Sequence, residues 1–152
     1  ISVMPLILLE SGYAEAASLL SRHNGERCLS TSNAYFEYYF GRNVAEQVPR
    51  DRESICALLE DSDFTYVVLD FMTHRVLDTK TKLLIESSCE PRFSVPNPIG
   101  GNAVYLMESL GYRHFIPGYI RNALNDPHSI TIDIYSAEDV FTLLCASDGR
   151  RR

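Results

Sequence analysis

Apolar residues follow two spacings along the chain, one typical of helices and one typical of buried strands. The stretch Phe64–Phe71 reads FTYVVLDF and consists mainly of β-branched and aromatic residues. Its apolar side chains fall on both faces of an extended segment, without the alternation of a strand that has one face in water. Such a strand is covered on both faces, as in a parallel α/β sheet. We therefore predict that this stretch is the central strand of the fold.

Other segments with strand-like or helix-like spacing lie on both sides of this stretch. The other predicted strands cover residues 27–31, 44–48, 93–95 and 130–135. The predicted helices cover residues 12–24, 34–40, about 75–87 and 104–110, and two more begin near Asp51 and Ala137. Strands that alternate with helices are typical of α/β proteins. The sequence therefore predicts a three-layer, Rossmann-like, mostly parallel sheet of about five strands with helices on both faces.

Two of these segments carry more detailed expectations. The strictly alternating pattern over residues 130–135 predicts a strand that has an exposed face or lies at an edge of the sheet. Pro96 must end its strand or place it at an edge, because proline cannot donate to a ladder. The apolar positions expected to be buried in the 75–87 helix are Val76, Leu83 and Leu84, with Leu77 or Ile85 as further candidates.

The chain length fits a single α/β domain over residues 1–152. Residues 1–10 are apolar up to Glu10, and three interpretations stay open for them. They form a first strand, a tail that covers the core, or the last turns of a membrane helix, which would make them a junction to a membrane-embedded part. No segment reaches the roughly 20 apolar residues that a transmembrane helix needs.

Charge and cysteine spacing narrow the classes of function. The net charge is −6, whereas a general nucleic-acid-binding protein usually has a basic face, so we expect no nucleic-acid partner. The four cysteines form no CxxC pair and no zinc signature. They are interpreted as small core residues, and a disulfide stays open if the domain faces an oxidising compartment. They are Cys28, Cys56, Cys89 and Cys145.

Polar side chains follow several predicted strands, at the positions where doubly wound folds bind ligands. The candidate ligand-binding residues are Ser30, Thr31, Ser32, Asp70, His74, Asn97, Gly100 and Gly101. Each of these residues also has a structural explanation, because serine, threonine and aspartate cap helices while asparagine and glycine form turns.

Motifs for specific chemistry are missing from the sequence. It has no GxGxxG after the first strand, no phosphate loop and no GxSxG nucleophile elbow. The four histidines are too scattered for a metal motif on one helix. We therefore predict no catalytic residue, no metal and no cofactor for this chain.

One run of residues resembles a known family. Residues 11–42 read SGYAEAASLLSRHNGERCLSTSNAYFEYYFGR, with a tyrosine, an Ala-Ala-rich helix, a short strand ending in Ser/Thr and an aromatic stretch ending in glycine. This order is similar to the segment after the last membrane helix in polytopic glycosyltransferases of the dolichyl-phosphate-mannose mannosyltransferase and aminoarabinose transferase group. The resemblance extends faintly through residues 66–70, 93–98 and 132–135.

The resemblance implies a function and a location. It implies a soluble accessory domain, binding acceptor or sugar, of a membrane enzyme that uses polyprenyl-phosphate sugar donors. Such a domain lies on the extracytoplasmic face, near the membrane, and its partner is a lipid-linked sugar or acceptor reached through the parent protein. The family's catalytic carboxylate lies between early membrane helices, so no residue here takes that role.

Two alternatives stay open beside the resemblance. One is a free-standing α/β protein, cytoplasmic and either an enzyme or a small-ligand-binding protein, that uses the polar groups at the strand ends. The other is a protein-interaction domain without a small-molecule site.

Overall fold

Five strands form one sheet in the order β2-β1-β3-β5-β4 in this computed structural model. The structure describes residues 12–21, 27–34, 38, 45–61, 63–97, 110–112, 114, 116, 118, 121, 122 and 125–146. The strands are β1 (Arg27–Ser30), β2 (Ala45–Gln47), β3 (Phe64–Leu69), β4 (Phe93–Pro96) and β5 (Thr131–Ser136). The helices are α1 (Tyr13–Ser21), α2 (Arg52–Asp61), α3 (Thr73–Val76), α4 (Thr79–Ser88) and α5 (Ala137–Cys145), and a 3-10 turn covers Pro127–Ile130. The predicted α/β class is confirmed.

Strand β3 lies in the middle of the sheet, as the apolar run predicts. On one side β3 is parallel to β1, and Ser30 lies opposite Val68. On the other side β3 is antiparallel to β5, and Val68 lies opposite Ile134. Strand β2 extends the parallel part on one side, and β4 pairs with β5 in antiparallel on the other. The sheet is therefore mixed, with β5 running opposite to both of its neighbours.

One face of the sheet is covered by α1. Tyr13, Ala16 and Leu20 from this helix are buried against Val68 and Ile134 of the sheet. The i, i+3, i+7 spacing places these three side chains on one side of the helix, which explains why this stretch folds as an amphipathic helix.

A glycine permits the close approach of α1 to the sheet. A Cβ added at Gly12 would lie 2.2 Å from the carbonyl oxygen of Pro96, at the end of β4. Backbone cannot give way as a flexible side chain does, so only glycine fits where the chain enters α1.

The other face is covered by α2, α4 and α5, so helices lie on both faces. Ile55 of α2, Ile85 of α4 and Leu144 of α5 pack against Val67 and Leu69 from β3. Alternation along β3 therefore divides its side chains between two cores, which accounts for its continuous apolar sequence.

A disulfide joins two helices of this second layer. Cys56 of α2 is bonded to Cys145 of α5. The interpretation of these two residues as free core cysteines is wrong, since their helices pack side by side and bring the thiols together. The buried Cys28 does fit that interpretation, and Cys89 is a half-buried free thiol.

The predicted 75–87 helix is two helices, α3 and α4. Asp78 separates them, because its carboxylate accepts from the Thr81 amide at 2.9 Å and the Thr81 hydroxyl at 2.7 Å, capping a new helix. The break rotates the apolar face. Leu77 and Ile85 are buried, whereas the side chain of Leu83, which was expected inside, is 56% exposed.

Strand β5 lies inside the sheet, so its predicted exposed face or edge position is wrong. Its alternation has another cause: Asp133 is 3% exposed and hydrogen-bonded among neighbouring polar groups, while Ile132 and Ile134 enter the opposite core. The edge position belongs to β4, which carries Pro96 as expected.

Several predictions fall on residues outside those described. These are the apolar residues 1–10, most of the 34–40 helix and the 104–110 helix. Within the described parts of the chain, no helix combines the length and apolar character needed to cross a membrane.

Candidate functional site at the carboxyl edge of the sheet

The polar strand-end residues meet at one edge of the sheet. Strands β1, β2 and β3 are parallel and end there, and β4 ends there too, because it runs antiparallel to β5. The 3-10 turn Pro127–Ile130 leads into β5 at the same edge. This is the place where ligands bind in open α/β sheets.

Asp70 organises one group of side chains at this edge. Its carboxylate accepts hydrogen bonds from the Tyr13 hydroxyl, from the Thr31 hydroxyl at 2.9 Å and from the Met72 amide at 2.8 Å. Its own amide faces the hydroxyls of Thr31 and Thr73 at 3.2 and 3.1 Å. These five residues are called the Asp70 cluster. Both carboxylate oxygens are occupied, so the cluster fastens α1, β1 and β3 together.

The two serines beside Thr31 form a turn. The Ser30 hydroxyl accepts from the Ser32 amide at 3.0 Å, and both residues are buried. The Ser32 hydroxyl has no hydrogen-bond partner within the described residues. Of the three polar residues at the end of β1, Ser30 and Thr31 thus have internal roles, and the Ser32 hydroxyl has no hydrogen-bond partner within the described residues.

Asn97 is fully buried at the end of β4. Its backbone amide donates to the Ile130 carbonyl at 2.7 Å, which continues the ladder by one residue. Neither polar atom of its side-chain amide has a hydrogen-bond partner within the described chain. Gly100 and Gly101, predicted beside it, lie outside the described residues.

His74 belongs to a second group, the charged cluster. This cluster consists of His74, Lys82, Glu86, Asp126, His128 and Asp133, from α3, α4, the 3-10 turn with its cap, and β5. The Lys82 ammonium donates to Glu86 at 2.6 Å and to Asp126 at 2.5 Å, and its side chain is 7% exposed. A buried ammonium needs such partners, because its desolvation is otherwise costly.

Asp126 connects the charged cluster to the 3-10 turn. One carboxylate oxygen contacts His74 Nε2 at 3.0 Å as well as Lys82, and the other accepts from the His128 amide at 3.0 Å. Asp126 is therefore the N-cap of the turn that positions His128.

His128 is oriented by the buried Asp133. Its Nδ1 lies 3.0 Å from one oxygen of Asp133, whose other oxygen accepts from the hydroxyls of Ser94 at 2.6 Å and Thr131 at 2.9 Å. An ionised carboxylate only accepts, so Nδ1 is the donor in this contact. In the neutral ring, Nε2 is then left with a lone pair.

Burial and charge shift several pKa values here in ways that follow from the contacts. Burial lowers the pKa of Lys82, but its hydrogen bonds to Asp126 and Glu86 outweigh that, and the pKa is raised overall. Burial raises the pKa of Asp126, and Lys82 together with the His128 amide brings it below its usual value. The pKa of Tyr135 is raised by burial and then by the negative charges of Asp133 and Glu86.

Two grooves border these elements. One, of about 350 Å³, is lined by Lys82, Leu83, Glu86, Ser87, Asn125, Asp126, Pro127 and His128, so one wall is the charged cluster. The other, of about 570 Å³, lies at the starts of α2 and α4 and is lined by Asp51, Arg52, Glu53, Asp78, Lys80, Thr81 and Leu84. Asp51 and Asp78 cap those helices, so these two carboxylates of the larger groove already have structural partners.

The sequence predictions located the Asp70 cluster better than the charged cluster. Thr31 and Asp70 follow neighbouring parallel strands and were recognisable from that pattern, whereas Tyr13, Met72 and Thr73 were not predicted as site residues. Lys82, Glu86, Asp126, His128 and Asp133 were missed, because three of them come from the turn before β5 and from β5 itself. The available signal was the i, i+4 spacing of Lys82 and Glu86 on a helix, which is common on solvated surfaces.

Comparison with protein-family models, with curated proteins and with solved structures found no match for this chain.

Proposed function

We propose that this chain is an accessory domain, binding acceptor or sugar, of a membrane glycosyltransferase, and that it has no catalytic activity of its own. The observation that carries the binding role is the groove of about 350 Å³ beside the charged cluster. Small-ligand sites are concave and place a few convergent polar groups among apolar surface. Here Lys82, Glu86 and Asp126 provide the polar groups, while Leu83 and Pro127 provide apolar surface.

The chemistry of this groove suits a polyhydroxylated ligand. Carboxylates accept hydrogen bonds from hydroxyl groups, and the Asn125 amide both donates and accepts. The cluster residues hold one another in place, so little ordering of side chains is needed when a ligand binds.

Two further observations support the wider proposal. The helix and strand of the resembling segment occur as α1 and β1, in the order that the resemblance expects. The Cys56–Cys145 disulfide suits an oxidising compartment, and therefore an extracytoplasmic location.

The binding role is tested by NMR titration of the purified chain with mannose and with a short-chain polyprenyl-phosphate mannose. We expect saturable shifts of the backbone amides of Glu86, Asn125 and Asp126. The amide of Glu53, in the other groove, is the internal control and should stay in place. Shifts that are absent, or equal at Glu53 and Glu86, would remove the binding role.

The parent enzyme is tested by the complete open reading frame of the gene. Several membrane helices encoded before Ile1 are expected. A start codon directly before Ile1 would refute the accessory role and leave the free-standing alternatives. The purified chain is also expected not to turn over a lipid-linked sugar, because no recognisable nucleotide-sugar motif is found in its sequence.

One observation favours an enzyme as the second candidate. His128 is oriented through Nδ1 by Asp133, as in general bases that are held by a carboxylate. A reading frame that begins at this chain, together with a ligand consumed by the wild type and not by His128→Gln, would favour this candidate.

A further inference from the structure

We propose that Glu86, Asp126 and His128 form a binding site for one divalent transition-metal cation. The proposal concerns the metal alone and does not depend on sugar binding or on the parent enzyme. Glu86 lies on α4, Asp126 caps the 3-10 turn, and His128 lies within that turn. The fold thus collects from separate elements a set that the sequence spacing could not reveal.

The three side chains are close enough to share an ion. One ligand atom from each lies within 4.8 Å of those of the other two. Ligands at about 2.0–2.2 Å from a zinc ion are separated by roughly 3.3–3.6 Å, so the ligand atoms would need to move closer together by at most about 1.5 Å. One imidazole with two carboxylates is a ligand set used by zinc and by other first-row metals. All three residues line the groove, which gives an ion a path from solvent.

His128 is already held in the form that binds a metal. The Asp133 carboxylate accepts a hydrogen bond from the Nδ1–H of His128, and the hydroxyls of Ser94 and Thr131 hold Asp133 in place. A carboxylate behind the imidazole is the usual support of a metal-binding histidine, since it fixes the tautomer and the ring orientation. Nε2 is the nitrogen with the free lone pair, and it would be the ligand atom.

The charges and one unpaired hydroxyl favour an added cation. The cluster has three carboxylates, from Glu86, Asp126 and Asp133, but one ammonium, from Lys82. The Tyr135 hydroxyl is buried without a hydrogen-bond partner among the described residues, and it lies in the field of these carboxylates. A hydrated cation would offset the excess negative charge and supply a water for this hydroxyl.

Lys82 fills the position of the cation in the metal-free chain. Its ammonium contacts the same two carboxylates that would bind the metal. Metal binding therefore requires the ammonium to leave, and the lysine acts as an internal competitor. This competition gives the proposal a directional test, because removing the lysine should strengthen binding.

The test is calorimetric titration of the full chain with zinc sulfate, together with the absorption spectrum of the cobalt complex. We expect one ion per chain and a cobalt spectrum without a thiolate band. Glu86→Gln and His128→Gln should each weaken binding by at least about 10- to 100-fold, the loss typical for a residue that only supports a metal ligand. Glu90→Gln, the same change at an exposed position just after α4, should leave it unchanged. Lys82→Met should strengthen binding by about 10-fold, while Lys80→Met should not.

The opposite results would overturn the site. The site would be refuted if neither the wild type nor Lys82→Met binds zinc, or if Glu86→Gln and Glu90→Gln bind it equally well. It would also be refuted if Lys82→Met binds zinc more weakly than the wild type does, or if the cobalt complex shows a thiolate band, which would assign the ion to cysteine. Far-ultraviolet circular dichroism checks the folding of each variant. If Lys82→Met does not fold, the contrast between His128→Gln and Glu90→Gln decides the outcome alone.

Discussion

The Asp70 cluster and the charged cluster lie at the same edge of the sheet, yet they differ in how their polar groups are used. Asp70 has hydroxyl and amide donors on both oxygens, all from the surrounding chain. In the charged cluster, the Lys82 ammonium donates hydrogen bonds to the carboxylates of Glu86 and Asp126, and a groove lies beside them. The first cluster is closed and fastens elements together, whereas the second still has groups that a ligand can reach.

This comparison shows why position at a strand end is a poor guide to binding by itself. Thr31 and Asp70 occupy positions where ligands bind in α/β folds, but they bind each other. A ligand-binding site differs from a structural contact in two ways: its polar groups are exposed to solvent, and some of them can still form hydrogen bonds. The predictions below test this difference from the largest expected effect to the smallest.

Asp70→Ala should cause the largest loss of stability. It removes the acceptor of three donors, from Tyr13, Thr31 and Met72, in a position that is 3% exposed. Leaving buried donors without acceptors costs about 1–3 kcal/mol each before relaxation, so we expect the free energy of unfolding to fall by about 4 kcal/mol. Urea unfolding followed by circular dichroism measures this change.

The matched control is Asp63→Ala, at an exposed position just before β3. It should change the free energy of unfolding by no more than about 0.5 kcal/mol. If both variants unfold at the same urea concentration, Asp70 does not fasten the sheet to α1, and its cluster would have to be reconsidered as an open site.

Removing the disulfide tests whether the helical layer of α2, α4 and α5 depends on its covalent link. The layer on the other face of the sheet, formed by α1, has no such link within the described residues. Cys56 and Cys145 are separated by 89 residues, and Cys145→Ser should cost about 3 kcal/mol through the freedom gained by the unfolded chain. Cys89→Ser, at a half-buried free thiol, should cost less than about 1 kcal/mol. Hydrogen exchange should quicken more in α2 and α5, which the disulfide joins, than in α1. An equal increase in all three helices would show that the two layers unfold as one unit.

The sequence allowed the α/β class, the central strand and the strand-end positions of Thr31 and Asp70 to be predicted, since each depends on local pattern. The run Phe64–Phe71 has no alternation, and polar residues follow β1 and β3 directly. The charged cluster depends on the position of β5, which was predicted to have an exposed face or to lie at an edge, whereas its Asp133 is buried. Asp133 can be buried because the hydroxyls of Ser94 and Thr131 donate hydrogen bonds to its carboxylate. The pattern of one sequence does not reveal such partners, because they are known only once the strands are paired.

Lys82→Met tests whether the charged cluster depends on its ammonium. The change keeps the length of the side chain and leaves Glu86 and Asp126 without their shared donor. Breaking a fully buried ion pair costs about 3–5 kcal/mol, but water enters from the groove, so we expect a loss of about 2 kcal/mol at neutral pH. Lys80→Met is the control, since Lys80 is exposed. Thermal unfolding compares them, and equal midpoints would mean that the ion pairs contribute nothing to stability.

Asp78→Ala measures how much a half-buried helix cap contributes to stability, for comparison with the buried carboxylate of Asp70. Asp78 caps α4, and its loss should cost about 1 kcal/mol at pH 7. Hydrogen bonds from the Thr81 hydroxyl and amide lower the pKa of Asp78 below its usual 3.8. A carboxylate with a lowered pKa stabilises the fold above its unfolded pKa, and the effect disappears as the pH falls through the folded value.

The variant and the wild type should therefore converge in free energy of unfolding as the pH falls below about 3.8, the usual value for aspartate. Asp61→Ala serves as the control, because Asp61 ends α2, where a carboxylate is unfavourable to the helix dipole. It should cause no loss at either pH. A difference for Asp78→Ala that stays constant down to pH 2 would contradict the role of the ionised cap.

Asn97→Ala should have the smallest effect, although Asn97 is as buried as Asp70. Its side-chain amide has no hydrogen-bond partner within the described chain, so its removal leaves no described donor or acceptor unpaired. The free energy of unfolding should change by less than about 1 kcal/mol, and the sign can be favourable, because an unpaired buried amide is itself costly. Urea unfolding beside Asp70→Ala measures the contrast directly.

Binding of the polyprenyl-phosphate mannose then decides what the Asn97 amide is for. Weaker binding with unchanged stability would assign the amide to a ligand and extend the site from the charged cluster to the end of β4. Unchanged binding with unchanged stability would discard Asn97 as a site residue. A loss of stability above about 2 kcal/mol would show that the amide is hydrogen-bonded in the folded chain. Asn97 would then have a structural role, as Asp70 has.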